Sequence, residues 1–323
     1  MKISIIIPAH NSSRTIKLCL DAAKNQTIPP HEIIVVDDAS SDNTLELIKG
    51  HNTILLRNSL NKGPAYARNE GARKATGDML FFIDSDTVIP ADAIAKIIGQ
   101  FNDKPEISCV CGIYSKKPLI DKGFISCYRA LQSHFWKKTG CGFTTRFTVS
   151  CGAIKKAHFD DIGGFNEKYK KADIEDYEAG HKLIDKGYKI YQTDEIQIMH
   201  DDIHLFTDLI STLFRRSFLY PALLLKRKKM DTGYLNKRRM LACSTALLSL
   251  IFLSIAFINS AFFWFWLLFV ILTMLLDAGL YGIFKKEKGA MFALKCIPLH
   301  YFMLNIMAIG FIAGVVGFLF RSE

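Results

Sequence analysis

Asp84 and Asp86, separated by one residue, follow directly on the apolar run Leu80-Phe81-Phe82-Ile83. Such a run with a β-branched residue reads as a buried strand, so both carboxylates stand at a strand's carboxyl end. Open α/β sheets bind ligands beyond that end. Two hard oxygen donors there suit Mg²⁺ or Mn²⁺ bridging to a phosphate-bearing substrate. The competing reading is a solvated Asx turn that closes the strand. Other acids fall in comparable places. Glu32-Ile33-Ile34-Val35-Val36-Asp37-Asp38 is a second apolar run ending in carboxylates, and Asp173, Glu175, Asp176 and Glu178 crowd one short stretch. Acids crowded in that way favour a helix N-terminus through its dipole.

The elements that position these acids are legible in order. Ile3 to Ile7, halted by Pro8, reads as a first buried strand. It is too short for a secretory signal, and no small-residue cleavage site follows. A turn through Ala9-His10-Asn11-Ser12 leads to a helix over about 13–25, with Ser12 or Ser13 as N-cap. Strand, helix and the second strand make a βαβ unit with a parallel sheet. Ser40 to Thr44 would cap a helix over 45–49, and a short strand over 53–56 leads to Asn61-Lys62-Gly63-Pro64. A glycine turn opening a helix offers free backbone amides, with Lys62 and Arg68 adding positive charge for a diphosphate; a plain loop and helix is the alternative. After Gly77 the chain enters the central strand.

Taken together, Ile3 to Asn11, Val35 to Thr44, Asn61-Lys62-Gly63 with Ala67-Arg68-Asn69, and Asp84-Ser85-Asp86 resemble the family 2 glycosyltransferases of the GT-A fold over roughly residues 1–215. The resemblance implies an α/β fold: a Rossmann-like, mostly parallel sheet flanked by helices. It also implies a nucleotide-diphosphate-sugar donor, a divalent metal and an inverting transfer. It assigns Pro8, Ala9, His10 and Asn11 to the nucleotide pocket, Asp38 to the base or ribose, and Arg68 to the diphosphate. Asp84 would touch the ribose or the metal, and Asp86 would be the principal metal ligand. The segments Thr148 to Ile154, with Gly152, and Asp161 to Glu167, with Gly164, look like the acceptor side. Asp176 matches the family's general base, with Glu175 in support. His200 stands where many relatives carry a further metal ligand, and a solvated or structural histidine is the other reading. Leu213-Phe214-Arg215-Arg216-Ser217 lacks the tryptophan of the processive Gln-x-x-Arg-Trp motif, which argues for single additions.

Half of the 323 residues are hydrophobic, and they concentrate after about residue 235. The formal charge is +10, but its lysines and arginines cluster beside the apolar runs, as in Lys226-Arg227-Lys228-Lys229 and Lys237-Arg238-Arg239. The charge therefore reads as facing membrane lipids, with no nucleic-acid partner. Cys109/Cys111 and Cys141/Cys151 fit no common zinc spacing, so the eight cysteines read as reduced and structural. A basic, amphipathic segment over 203–239, lying in the membrane interface or packed on the catalytic domain, would precede a transmembrane region over 240–323. Its spans are expected at 241–258, 261–284 and 301–320, with Asp277 inside the second and a break at Pro298 and His300. Basic flanks on one side predict a multi-pass protein of the cell membrane with a cytoplasmic catalytic domain and the tail Arg321-Ser322-Glu323 outside. The acceptor class is then a lipid-linked or membrane-presented glycan. Transfer to a polyprenyl phosphate and a catalytically silent membrane scaffold are the alternative readings.

Overall fold

The computed structural model describes residues 1–171, 173–227 and 237–320. It begins with β1 (Ile3–Ala9), α1 (Ile16–Lys24), β2 (Glu32–Asp37), α2 (Thr44–Lys49), β3 (Ile54–Arg57), α3 (Pro64–Lys74) and β4 (Met79–Ile83). There follow β5 (Thr87–Val88), α4 (Ala93–Asp103), β6 (Ile107–Tyr114), α5 (Phe124–Lys138), β7 (Gly142–Thr144), β8 (Cys151–Lys155), α6 (Lys156–Asp161), α7 (Glu175–Asp185) and β9 (Lys189–His200). The chain closes with α8 (Phe206–Arg227), α9 (Lys237–Ala256), α10 (Phe263–Leu276), α11 (Ala278–Lys288) and α12 (Ala290–Leu319). Two compact units result: a sheet unit of residues 1–121 and 136–202, and a helical unit of residues 122–135 and 203 onward.

The nine strands form one sheet in the order β3-β2-β1-β4-β8-β6-β9-β5, with β7 added beside β9. β1, β2, β3 and β4 pair in parallel, whereas β8 runs antiparallel between β4 and β6. The sheet is thus mixed. The parallel half is the part whose unbroken apolar strands are legible, because both faces are covered. Alternation divides the core in two: Ile5, Val35 and Phe81 pack on one face, and Ile6, Ile34 and Phe82 on the other. Phe82 alone meets the rings of Phe147, Phe159 and Phe165 at centroid distances of 6.1, 5.2 and 5.3 Å. Burying a ring of this kind contributes about 2–3 kcal/mol.

Some boundaries depart from the sequence expectation. β1 continues through Pro8, which lies opposite Val36 but beyond the four residues that β4 pairs. At that edge a missing amide proton costs no bond to β4. α1 begins only at Ile16, with Thr15 as its cap residue. Ser12 does not cap it with its side chain: the Ser12 carbonyl accepts from Thr15 and Ile16, and its hydroxyl is bonded elsewhere. Residues 122–135 fall with the helical unit rather than with a 1–215 domain, because Phe124 packs on Phe292 and Tyr128 on Phe284.

In the helical unit, α9 and α12 are long and apolar enough to cross a membrane. The expected second span is instead two helices bent by 62° at Asp277. Asp277 is buried at that bend and accepts a hydrogen bond from Nε2 of His300 at 2.9 Å, while Nδ1 of His300 accepts from the Tyr128 hydroxyl at 2.8 Å. The break expected at Pro298 is absent, since α12 runs unbroken through it. A proline removes one backbone donor, and packing on neighbouring helices tolerates that inside a long apolar helix. α8 packs against α12, where a Cβ on Gly310 or Gly314 would meet the carbonyls of Phe214 and Phe218 at 2.8 and 2.2 Å. Glycines four apart let the two backbones approach. Lys228, Lys229 and the tail Arg321-Ser322-Glu323 lie outside the described residues.

Candidate active site

Parallel pairing puts the carboxyl ends of β1, β2, β4, β6 and β9 on one edge of the sheet. His10-Asn11, Asp38, Asp84-Ser85-Asp86 and Tyr114 are therefore neighbours by construction. The turn after β4 is held by the Asp84 carbonyl, which accepts from the amide and hydroxyl of Thr87 at 3.1 and 2.8 Å. Ser85 shares a hydroxyl hydrogen bond with Ser12 at 2.7 Å, tying this turn to the loop after β1.

His200 arrives through antiparallel pairing. Thr87 of β5 stands opposite His200 of β9, which brings the imidazole beside Asp86. Asp84, Asp86 and His200 each offer one ligand atom, and these atoms lie within 4.8 Å of one another. Nε2 of His200 stands 3.4 Å from Oδ1 of Asp86, a buried oxygen with no hydrogen-bond partner. Burial is the largest influence on this imidazole and favours its neutral form. The charges of Asp86, Asp202 and Asp84 outweigh it and push the pKa up to about 9. Two carboxylates and an imidazole with an unsatisfied inward oxygen fit a hard divalent cation such as Mn²⁺ or Mg²⁺.

The nucleotide-side residues form a different arrangement from the one expected. Asp38 is buried, and its carboxylate accepts from Nδ2 of Asn58 at 2.7 Å and from the amides of Lys62 and Gly63, the latter at 2.7 Å. The two amides just before α3, those of Lys62 and Gly63, are thus taken by an internal carboxylate. Gly63, at φ 93°, is the residue that lets the chain present them. Lys62 turns its ammonium to the Tyr66 hydroxyl at 3.0 Å. His10 is exposed, with Nδ1 2.8 Å from the Asp38 carbonyl, and the side chain of Asn11 accepts from the Ser41 amide at 2.9 Å. Pro8 and Ala9 are buried in β1. A cleft of about 470 Å³ is lined by Ala39, Ser40, Arg57, Asn58 and Ser59.

Arg68 is 3 % exposed and joins two acids. It donates to Oδ1 of Asp84 at 2.7 Å and to Oε1 of Glu175 at 3.1 Å. Burial opposes its charge, and the two carboxylates hold its pKa above the ordinary value. Glu175 is committed further, since Oε2 accepts from the Asp173 amide at 2.8 Å. Asp176, next along the first turn of α7, is half-buried.

Gly152 and Gly164 serve packing. A Cβ on Gly152 would stand 2.5 Å from the Thr148 carbonyl, and one on Gly164 would stand 2.7 Å from Oδ1 of Asn69. Asn69 was not among the expected site residues. It donates to the Phe165 carbonyl and to Glu167, both at 2.9 Å, and accepts from the Phe165 amide at 3.0 Å. It therefore clamps the Gly163-Gly164 turn to α3, one residue from Arg68. Tyr114 was also missed: its ring stacks on His200 at 5.0 Å. Asn69 stands in the Ala67-Arg68-Asn69 motif, but its partners, like that of Tyr114, are distant in sequence.

Residues 4–161 match the family described as Glycosyl transferase family 2. The chain is 37% identical over 256 residues to an uncharacterized glycosyltransferase, YfnE, of Bacillus subtilis, covering 62% of this chain and 65% of that one. It is 39% identical over 104 residues to a poly(ribitol-phosphate) beta-glucosyltransferase of Bacillus spizizenii, covering 30% of this chain and 16% of the relative. It thus spans less than two thirds of either relative's length. Among solved structures, a mannosyltransferase from Pyrobaculum calidifontis, in complex with GDP-Man and Mn²⁺, superposes with a TM-score of 0.59 at 18% identity, covering all of this chain and 88% of that one. At that identity the likeness shows the fold, which is GT-A.

Proposed function

Through residues 4–161 the chain belongs to glycosyl transferase family 2, and we propose that it is a membrane-anchored, metal-dependent, inverting glycosyltransferase. Its donor is a nucleotide-diphosphate sugar, and its acceptor is a hydroxyl of a membrane-presented glycan. The observation that carries this reading is the convergence of Asp84, Asp86 and His200 beyond the carboxyl end of the central strand. The mannosyltransferase with the same fold is described with a nucleotide sugar and Mn²⁺, which supports the choice of ligands.

The cleft beside Ala39 and Asn58 has the size of a small-ligand site and would take the nucleoside. Asp38 acts there by fixing the 58–63 loop that walls it. A divalent cation held by Asp84, Asp86 and His200 would stabilise the charge of the departing diphosphate. Arg68 orients the Asp84 carboxylate, and the same guanidinium holds Glu175 beside Asp176. Asp176 then accepts the proton of the acceptor hydroxyl as its oxygen attacks the anomeric carbon and the carbon–oxygen bond to the diphosphate breaks.

Membrane attachment rests on α9 and α12 and on the lipid-like exposure of residues such as Phe257, Ile258 and Trp264. Lys237 and Arg238 at the start of α9, and Lys285, Lys286 and Lys288 at the end of α11, mark the cytoplasmic side, where nucleotide sugars are found.

The test is Asp176→Asn, with donor binding and turnover measured on the same preparation. The reading requires near-native donor affinity and a loss of turnover of at least 10²-fold. A near-native rate would remove Asp176 as the base and favour an acceptor that needs no deprotonation, such as a polyprenyl phosphate.

A further inference from the structure

Lys137 is buried and Arg146 half-buried in the sheet unit, neither of them in an ion pair with a carboxylate among the described residues. Lys137 is 8 % exposed, and Nε of Arg146 is buried with no hydrogen-bond partner. No Asp or Glu oxygen lies within 4.0 Å of either side chain among the described residues. Their sequence neighbourhoods are tied together: Gln192 donates from Nε2 to the Lys137 carbonyl at 2.5 Å, and Oε1 of the same side chain accepts from Arg146 at 2.9 Å.

Donors outnumber acceptors here. The Lys137 ammonium has three N–H groups and, among the described residues, one hydrogen-bond acceptor, the Thr148 hydroxyl at 3.1 Å. Arg146 donates to Gln192 and bonds Tyr177, which leaves its buried Nε–H unanswered. Buried donors without acceptors are costly, and like charges brought together are costlier still. Burial, followed by the Arg146 charge, pushes the Lys137 ammonium well below its ordinary pKa. The Tyr114 ring, 4.6 Å from the ammonium, offsets only part of this cost.

A sugar hydroxyl entering such a place would bring a donor of its own. An oxyanion would bring acceptors alone. We infer that Lys137, Arg146 and the Thr148 hydroxyl form an anion subsite that takes a phosphate-type group. Donors supplied by two electrostatically interacting cationic side chains suit a tetrahedral anion with three free oxygens better than the two oxygens of a carboxylate. Both cations also lie within electrostatic reach of Asp176. On the transferase reading above, the anion belongs to the acceptor, either as a lipid phosphate headgroup or as a phosphate on a soluble glycan.

The test titrates inorganic phosphate into the full chain in neutral detergent, with chelator present and with chloride at matched ionic strength as control. The native protein should bind phosphate, and Lys137→Met and Arg146→Gln should each weaken it at least tenfold. Binding of a nucleoside diphosphate with Mn²⁺ should change less than twofold. Lys137→Met should also leave Tm unchanged or raised, an outcome that a purely structural lysine would reverse. Lys137→Arg, which keeps the charge, should retain phosphate binding even if the methionine variant fails to fold. A parallel titration with a short-chain lipid phosphate separates the sources: a tenfold preference for it assigns a lipid headgroup, and equal affinity assigns a soluble phosphate. Equal phosphate binding in the native chain and both neutral variants, or binding no stronger than that of chloride, would overturn the subsite. Loss of nucleotide binding with phosphate binding intact would instead overturn the transferase reading and leave the subsite standing.

Discussion

Arg68 of α3 and Glu175 of α7 stand 107 residues apart in the chain and meet at 3.1 Å in the interior of the sheet unit. The same guanidinium holds Asp84 at 2.7 Å. One cation therefore fixes a carboxylate of the candidate metal cluster and the residue preceding the candidate base. Removing it leaves two acids facing each other without a counter-charge. Breaking a buried ion pair from one side costs about 3–5 kcal/mol. Arg68→Met should therefore lower stability by that order in thermal or denaturant melts of the purified protein. A variant as stable as the native chain would show that the pair is not held in solution.

Asp38 makes a second prediction, about the 58–63 loop. Its two oxygens answer the amides of Lys62 and Gly63 as well as Asn58. Asp38→Ala leaves those donors without their partner, at a cost of about 1–3 kcal/mol for each buried group. Hydrogen exchange at Lys62 and Gly63 should accelerate at least tenfold while the β4 amides stay protected. Unchanged exchange at both positions would mean that the loop is held by something else.

The difference between these two acids shows what the sequence makes legible. The β1, β2 and β4 strands and their terminal acids stand out because a parallel strand covered on both faces is a continuous apolar run. The tandem Asp37-Asp38 and Asp84-x-Asp86 are read from order along the chain. Their partners are not, since Asp38 binds amides 24 and 25 residues on and Arg68 binds Glu175 across 107. The antiparallel β8, inserted between β4 and β6, leaves no trace in local periodicity, and neither does the clamp of Asn69 on Phe165. In the helical unit the apolar runs were visible, but Asp277 as a bend and Pro298 as a tolerated interior residue depend on neighbouring helices.

The contact between α8 and α12 rests on the absence of side chains at Gly310 and Gly314. A methyl on Gly314 would stand 2.2 Å from the Phe218 carbonyl, a backbone atom that cannot swing aside. Gly314→Ala should cost about 1–3 kcal/mol, and Gly314→Leu should prevent folding of the helical unit in detergent. Native-like melting of the leucine variant would rule out this packing.

Of the eight cysteines, seven are buried and Cys141 is exposed. A maleimide should therefore label one thiol per folded chain and all eight after denaturation. Cys141→Ser should abolish native labelling. Partial desolvation of its sulfur, the largest influence, and the nearby Asp194 raise the thiol pKa of Cys141, so labelling should be slow at neutral pH and quicken as the pH rises. Labelling of several sites in the folded protein would contradict the burial of Cys109, Cys111 and Cys151.

The most direct measurement is calorimetric titration of UDP, GDP, CDP and TDP into the detergent-purified chain, with and without Mn²⁺, beside the Asp86→Ala variant. Asp86 carries the buried oxygen that points at His200 without a hydrogen-bond partner. The account predicts that one nucleotide binds tightly only with Mn²⁺, and that Asp86→Ala loses at least tenfold of that affinity while folding normally. Binding that ignores both the metal and Asp86, or no binding of any nucleotide, would contradict it.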